Sequence, residues 1–101
     1  MITVIQLLYV HSGKERVLHE FEEIAIPLIA KYGGELLLRL RPQQDSVVAA
    51  SIEAPYEIHV VRFQSEQDLQ RFAADEERQR FLHLKNESVR SALVFNAVGT
   101  P

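Results

Sequence analysis

The chain has 101 residues, the size of one domain (residues 1–101), with 47% hydrophobic and 25% charged residues, which excludes a disordered or low-complexity chain. A net charge of -3 without any lysine- or arginine-rich run argues against a nucleic-acid partner. The absence of cysteine excludes disulfides, thiolate chemistry and zinc ribbons, and fits a reducing compartment.

Met1 to Val10 has neither a basic n-region nor a small-residue cleavage site, so it does not read as a signal peptide. No apolar stretch approaches the roughly 18 residues of a membrane span, so the expectation is a cytoplasmic protein with no membrane partner. Ile2–Val10 is rich in β-branched and apolar residues and reads as a strand. Ser12 precedes Glu15 by the spacing of a capping box, which predicts a helix start there. Val17, Phe21, Ile24 and Leu28 then form the centre of an apolar stripe, widened by Leu18, Ala25, Ile29 and Tyr32. Pro27 removes one backbone bond and should kink or divide that helix, and Gly33-Gly34 should end it.

Glu35–Arg41 and Glu57–Phe63 read as strands, and Val47–Ile52 between them as partly ordered, an extension of the hairpin. Ser65 opens a second helical region, and Asp75, followed by Glu76-Glu77, reads as a fresh N-cap. That region is expected to run to about Ser91. Ala92–Val98 is the last strand and Gly99-Thr100-Pro101 a tail. The order β-α-β-β-α-β in so short a chain predicts an α+β, ferredoxin-like domain: an antiparallel four-stranded sheet with its helices on one face.

Alternation along each strand divides the side chains into two sets. Ile5, Leu7, Tyr9, Leu36, Leu38, Leu40, Val61, Phe63, Leu93 and Phe95 are assigned to the helix side, with His11, His59 and Glu57 towards strand ends. The other set contains Ile2, Val4, Leu8, Val60 and Val94 together with Gln6, Arg39, Arg62 and Asn96. Such a surface is too apolar to leave in water, so the chain is expected to form a homodimer, sheet face to sheet face.

The layout, the helix end Pro27–Gly34, the turn from Val60-Val61-Arg62-Phe63 into Gln64-Ser65, and Asp75–Gln79 together resemble the dimeric α+β-barrel superfamily. Within it the chain is most similar to a branch of small bacterial proteins of unknown function. The resemblance implies a dimeric α+β barrel with a cleft beside the sheet that holds small molecules. Relatives include cofactor-free monooxygenases, muconolactone-isomerase-like enzymes and haem-binding proteins. A haem would need an axial ligand in the helical layer, and the only candidate, His83, sits on a charged helix, so no cofactor is expected.

On this reading Gln6, Arg39, Arg62 and Asn96 line a site between sheet and partner, where a small anionic or hydrophobic ligand would satisfy the arginines. The competing reading is an interfacial ion-pair cluster with Glu35, Glu53 or Glu57. His59, Tyr9 and His11, with Glu57, are the weak candidates for acid–base catalysis. His19 with Glu22 or Glu23, and His83 with Glu87, have one-turn spacing but too few ligands, and read as solvated helix faces rather than a metal site. No nucleophile elbow or phosphate loop appears.

Two functions follow. One is a small-molecule-binding module; the other is a cofactor-independent monooxygenase or isomerase acting on a small hydrophobic or aromatic acid, with an arginine holding the anion and His59 or Tyr9 moving a proton. Because His59 and Arg62 fall on opposite faces, the sequence leaves open whether the protein is an enzyme.

Overall fold

The structure, a computed structural model, describes residues 1–98, so the expected tail at 99–101 lies outside the described residues. Strand β1 (Ile2–Val10) leads into helix α1 (Glu15–Lys31), then β2 (Glu35–Leu40), β3 (Glu57–Phe63), three short helices α2 (Glu66–Ala73), α3 (Glu76–Arg80) and α4 (Leu82–Ser88), and β4 (Val89–Val98). The sheet order is β2-β3-β1-β4, with every neighbouring pair antiparallel. This is the expected ferredoxin-like fold.

Local chemistry explains most element ends. Ser65 Oγ accepts the Asp68 N–H at 3.1 Å and Asp75 Oδ1 accepts the Arg78 N–H at 3.0 Å, so both read as N-caps in sequence and act as such. The first helix starts differently. Ser12 makes no cap; Gly13 turns with φ +85°, and Glu15, the first helical residue, reaches back to accept its N–H at 2.9 Å, so the expected capping box does not form. Pro27 does not divide α1, which runs unbroken for 17 residues. Val47–Ile52 is no strand extension: a single 3₁₀ turn (Gln44–Ser46) precedes it, and Val48 is 99% exposed. The last strand begins at Val89, earlier than expected.

The packing of α1 is rotated by one residue from the expected stripe. Leu18, Phe21, Glu22, Ala25 and Ile29 are its buried residues. Beneath it lie Ile2, Val4 and Leu8 of β1 and Phe63 of β3, not Ile5, Leu7 and Tyr9. Cross-strand partners share a face, and Val4 pairs with Val61, Gln6 with His59 and Leu8 with Glu57. The expected faces are therefore right for β3 and inverted for β1 and β4. A β-bulge at Leu37 splits β2: Leu36 pairs with Val61 on the helix side, whereas Leu38 pairs with Val60 on the other. The extra residue then returns Arg39, opposite His59, to the helix side.

The uncovered face accordingly carries Ile5 and Leu7 paired with Phe95 and Leu93, and Leu38 and Leu40 paired with Val60 and Ile58. Leu38, Leu93 and Phe95 are 48%, 40% and 53% exposed. Arg62 also lies on this face, with Glu35 Oε1 accepting from it at 3.4 Å.

The turn from α1 to β2 fixes how closely the helix approaches β3. Gly33 adopts φ +73°, and a Cβ on Gly34 would stand 2.6 Å from the Phe63 ring and 2.7 Å from Ile29. Since Phe63 is 1% exposed, the clash has nowhere to relax. Gly34→Ala is expected to cost about 1–3 kcal/mol through overpacking, and Gly33→Ala about 1 kcal/mol through backbone strain alone. In a domain of this size each kcal/mol lowers Tm by about 4–8 °C. A calorimetric Tm for Gly34→Ala within 1 °C of the parent would contradict that packing.

Candidate functional site

The site grows from one buried acid. Glu57, at the start of β3, has no exposed surface, and its partner position Leu8 is buried beneath the helices. Transfer of a lone carboxylate into such a place costs several kcal/mol. Here Arg39 Nε donates to Glu57 Oε1 at 3.0 Å, Arg41 Nε to Oε2 at 2.7 Å, and His59 Nε2 also bonds Oε1. Both arginines reach it because the bulge at Leu37 has turned that end of β2 towards the helix.

Glu22 extends the network into α1. Leu18, Glu22, Ala25 and Ile29 form one buried line along the helix, and Glu22 is 3% exposed rather than solvated. Arg39 Nη2 donates to its Oε1 at 3.0 Å. Its Oε2 stands 3.0 Å from His59 Nε2 without the alignment of a hydrogen bond, and is left buried with no donor.

These contacts divide the two acids electrostatically. Burial alone would raise Glu57, but its bonds to His59, Arg41 and Arg39 hold it far below the usual carboxylate range. Burial, reinforced by neighbouring Glu57, raises Glu22 despite its contact with His59. Burial would lower His59, yet the nearby Glu22 carboxylate and its bond to Glu57 outweigh this and raise it. One carboxylate stays ionised beside another inclined to hold a proton, with an imidazole between them. That arrangement suits proton transfer.

Between α1 and the sheet, Glu22 and His59 of this cluster face a cavity of about 80 Å³ that opens to solvent. Val4, Leu8, Phe21, Ile29, Phe63 and Phe72 supply apolar walls. Gln6, Glu22, His59, Arg78 and Lys85 supply the polar groups. Arg78 lies between the rings of Phe21 and Phe72, with centroids 5.7 and 5.2 Å away. Its Nη1 donates to the Ala73 carbonyl at 3.1 Å, but its Nε is buried without an acceptor. Burial lowers both Arg78 and Lys85, and the Arg78 charge lowers Lys85 further.

Of the residues expected to bind ligand, Gln6 lines this cavity and Arg39 supports it through Glu22 and Glu57. Arg62 lies across the sheet, and Asn96, on exposed β4, pairs with Val4 outside the cavity lining. The four do not converge. Nor do the acid–base candidates: His59 meets Glu57, but Tyr9 faces the other side, its hydroxyl donating to the Glu53 carbonyl at 2.8 Å, and His11 is exposed. Glu22, Arg78 and Lys85 were not among the expected site residues. The sequence signal for Glu22 was its place in the Leu18–Ala25–Ile29 stripe; none marked the two cations.

His19, Glu22 and Glu57 offer ligand atoms within 4.8 Å of one another. A divalent cation there would compete with Arg39 and Arg41 for both oxygens of Glu57, and His19 Nε2 already bonds the Tyr56 hydroxyl at 2.7 Å. The donor set suits a guanidinium better than a metal. Among the described residues no helix is long and apolar enough to cross a membrane.

Comparison with known proteins supports the fold and stops there. No protein-family model matches the sequence, and no curated protein matches it. A solved protein of unknown function from Rhodopseudomonas palustris superposes with TM-score 0.83 at 8% identity, over 99% of this chain and 82% of its own. An uncharacterised NIPSNAP-domain protein from Burkholderia xenovorans gives 0.71 at 12% identity, over 99% and 95% of the two chains. A dimeric ferredoxin-like protein of unknown function from Jannaschia gives 0.72 at 18% identity, over 97% and 98%. The chain shares their ferredoxin-like fold.

The network makes stability depend on pH with a definite sign. Glu57 is lowered from its ordinary 4.5, so its contribution is present above that pH and lost as the solution turns acidic. His59 is raised from 6.5, so its contribution is present below that value and lost as pH rises through the raised one. Glu22, raised from 4.5, contributes in the opposite sense to Glu57. Glu57→Gln should cost about 3–5 kcal/mol at neutral pH, as breaking a buried ion pair does. His59→Gln should flatten the decline in urea midpoints on the alkaline side of 6.5, where a raised imidazole gives up its proton. An undiminished decline in that variant would place the titrating group elsewhere.

Proposed function

We propose that this protein is a homodimer, joined through its uncovered sheet face, in which each subunit binds a small, partly apolar molecule in the cavity between α1 and the sheet. The observation behind the binding reading is the pair of buried polar atoms without partners, Glu22 Oε2 and Arg78 Nε. Both residues line the same cavity. Each such atom costs about 1–3 kcal/mol when unsatisfied, and a ligand group within the cavity would offset that cost. The mainly apolar lining of the cavity, with a few convergent polar groups, is that of a small-molecule site.

Dimerisation is supported by the other side of the sheet. Leu38, Leu40, Leu93 and Phe95 are exposed on a face that no helix covers. A second copy brings a self-complementary surface to it. Light scattering should give twice the 11.6 kDa of one chain, and Phe95→Glu should halve that mass while leaving the cavity intact. Native mass spectrometry of the dimer should show a co-purified molecule, lost on denaturation.

A second reading is favoured by one observation: His59 and Glu22 face the same cavity as Gln6, Arg78 and Lys85. Under it the protein is a cofactor-independent isomerase or monooxygenase of a small hydrophobic or aromatic acid, with His59 moving the proton. The cationic groups are then Arg78 and Lys85 rather than Arg62. Proton transfer by a positioned side chain supplies about 10²–10⁴ in rate. In D₂O, the bound molecule should gain deuterium with the parent protein and at least a hundredfold more slowly with His59→Gln. Equal exchange in both would leave binding alone.

A further inference from the structure

We infer that the ligand is an amphiphilic anion, a small acid with an apolar body, and that Arg78 and Lys85 hold its anionic head; this rests on the cavity being a binding site. Charge balance leads there. Glu57, behind the cavity wall, is already matched by Arg39, Arg41 and His59. Glu22 is engaged by Arg39. Arg78 and Lys85, in contrast, have no acid within salt-bridge distance among the described residues, although both are half-buried and line the cavity.

The acid whose field reaches Arg78 is committed elsewhere. Asp75 accepts the Tyr32 hydroxyl, Lys31 Nζ at 3.1 Å and the Arg78 backbone N–H at 3.0 Å, but not the Arg78 guanidinium. Two like charges brought together and partly desolvated repel, and a bound anion relieves both penalties. Phe21 and Phe72, flanking the guanidinium, fix its plane and prevent it from swinging into solvent. Beyond them Val4, Leu8, Ile29 and Phe63 give a wall with nothing to hydrogen-bond, which an inorganic anion would leave bare and an alkyl or aromatic body would fill.

The test uses the neutral fluorescent probe N-phenyl-1-naphthylamine to report occupancy of the cavity in the purified, ligand-stripped dimer. Octanoate and octanol, of equal chain length, then compete with it. Octanoate should displace the probe at a concentration at least tenfold lower than octanol, since one charge-assisted contact is worth that factor. Lys85→Met should shrink the preference and Arg78→Met with Lys85→Met should abolish it, with probe binding retained. Lys85→Met alone decides the matter should the double variant fail to fold, because Lys85 makes no side-chain bond that the fold needs. Equal displacement by acid and alcohol, or an unchanged preference in Lys85→Met, overturns the anion assignment while leaving the cavity as a site. Failure of the probe to bind the parent overturns the binding reading itself.

Discussion

A carboxylate with no exposed surface must have its charge matched inside the protein, and Glu57 imposes that requirement on everything around it. It draws Arg39 from β2 and Arg41 from just beyond it, His59 from its own strand and, through Arg39 and His59, Glu22 from α1. The bulge at Leu37 makes this possible. Without the bulge Arg39 and Arg41 would both share a face with Arg62, and Glu57 would lose both guanidinium donors. The same insertion moves Leu38 and Leu40 to the uncovered face, so one backbone irregularity both completes a buried network and enriches an apolar surface.

The element order, the caps at Ser65 and Asp75 and the termination at Gly33-Gly34 were legible because each depends on local chemistry: periodicity, a side-chain acceptor, a positive φ. Face assignment is not local. In β1 both alternating sets, Ile2-Val4-Leu8 and Ile5-Leu7-Tyr9, are apolar, so composition does not say which one the helices cover. Only the register decides, and the register of β2 is changed by a bulge with no glycine to announce it. The site suffered for the same reason. Gln6 and Arg39 belong near His59, whereas Arg62 was grouped with Gln6 through the inverted face of β1 and with Arg39 through a parity that the bulge breaks.

Glu22 and Glu57 illustrate a different limit. Each occupies a buried position in an otherwise apolar periodic pattern, Leu18-Glu22-Ala25-Ile29 on the helix and Glu57-His59-Val61-Phe63 on the strand. Either acid alone suggests a solvated edge. Their meaning comes from meeting, since two acids, an imidazole and two guanidinium groups balance one another only when all are present. Arg78 and Lys85 gave less warning still, because a cation on a short helix is ordinarily solvated and their burial follows from how α3 and α4 fold back over α1.

The sheet therefore separates two tasks by its two faces. The helix side keeps a saturated acid, Glu57, behind a cavity whose own polar groups are unevenly satisfied: Glu22 lacks one donor and Arg78 lacks one acceptor. A purely structural network gains nothing from such shortfalls, because a leucine or methionine in place of Arg78 would pack against Phe21 and Phe72 without an orphaned N–H. The open side carries the opposite chemistry, a mainly apolar surface with the ion pairs Arg62–Glu35 and, beside Tyr9, Arg90–Glu53. A partner on that face stiffens β1 and β3, which also hold Gln6 and His59, so association on one side would steady the geometry of the cavity on the other.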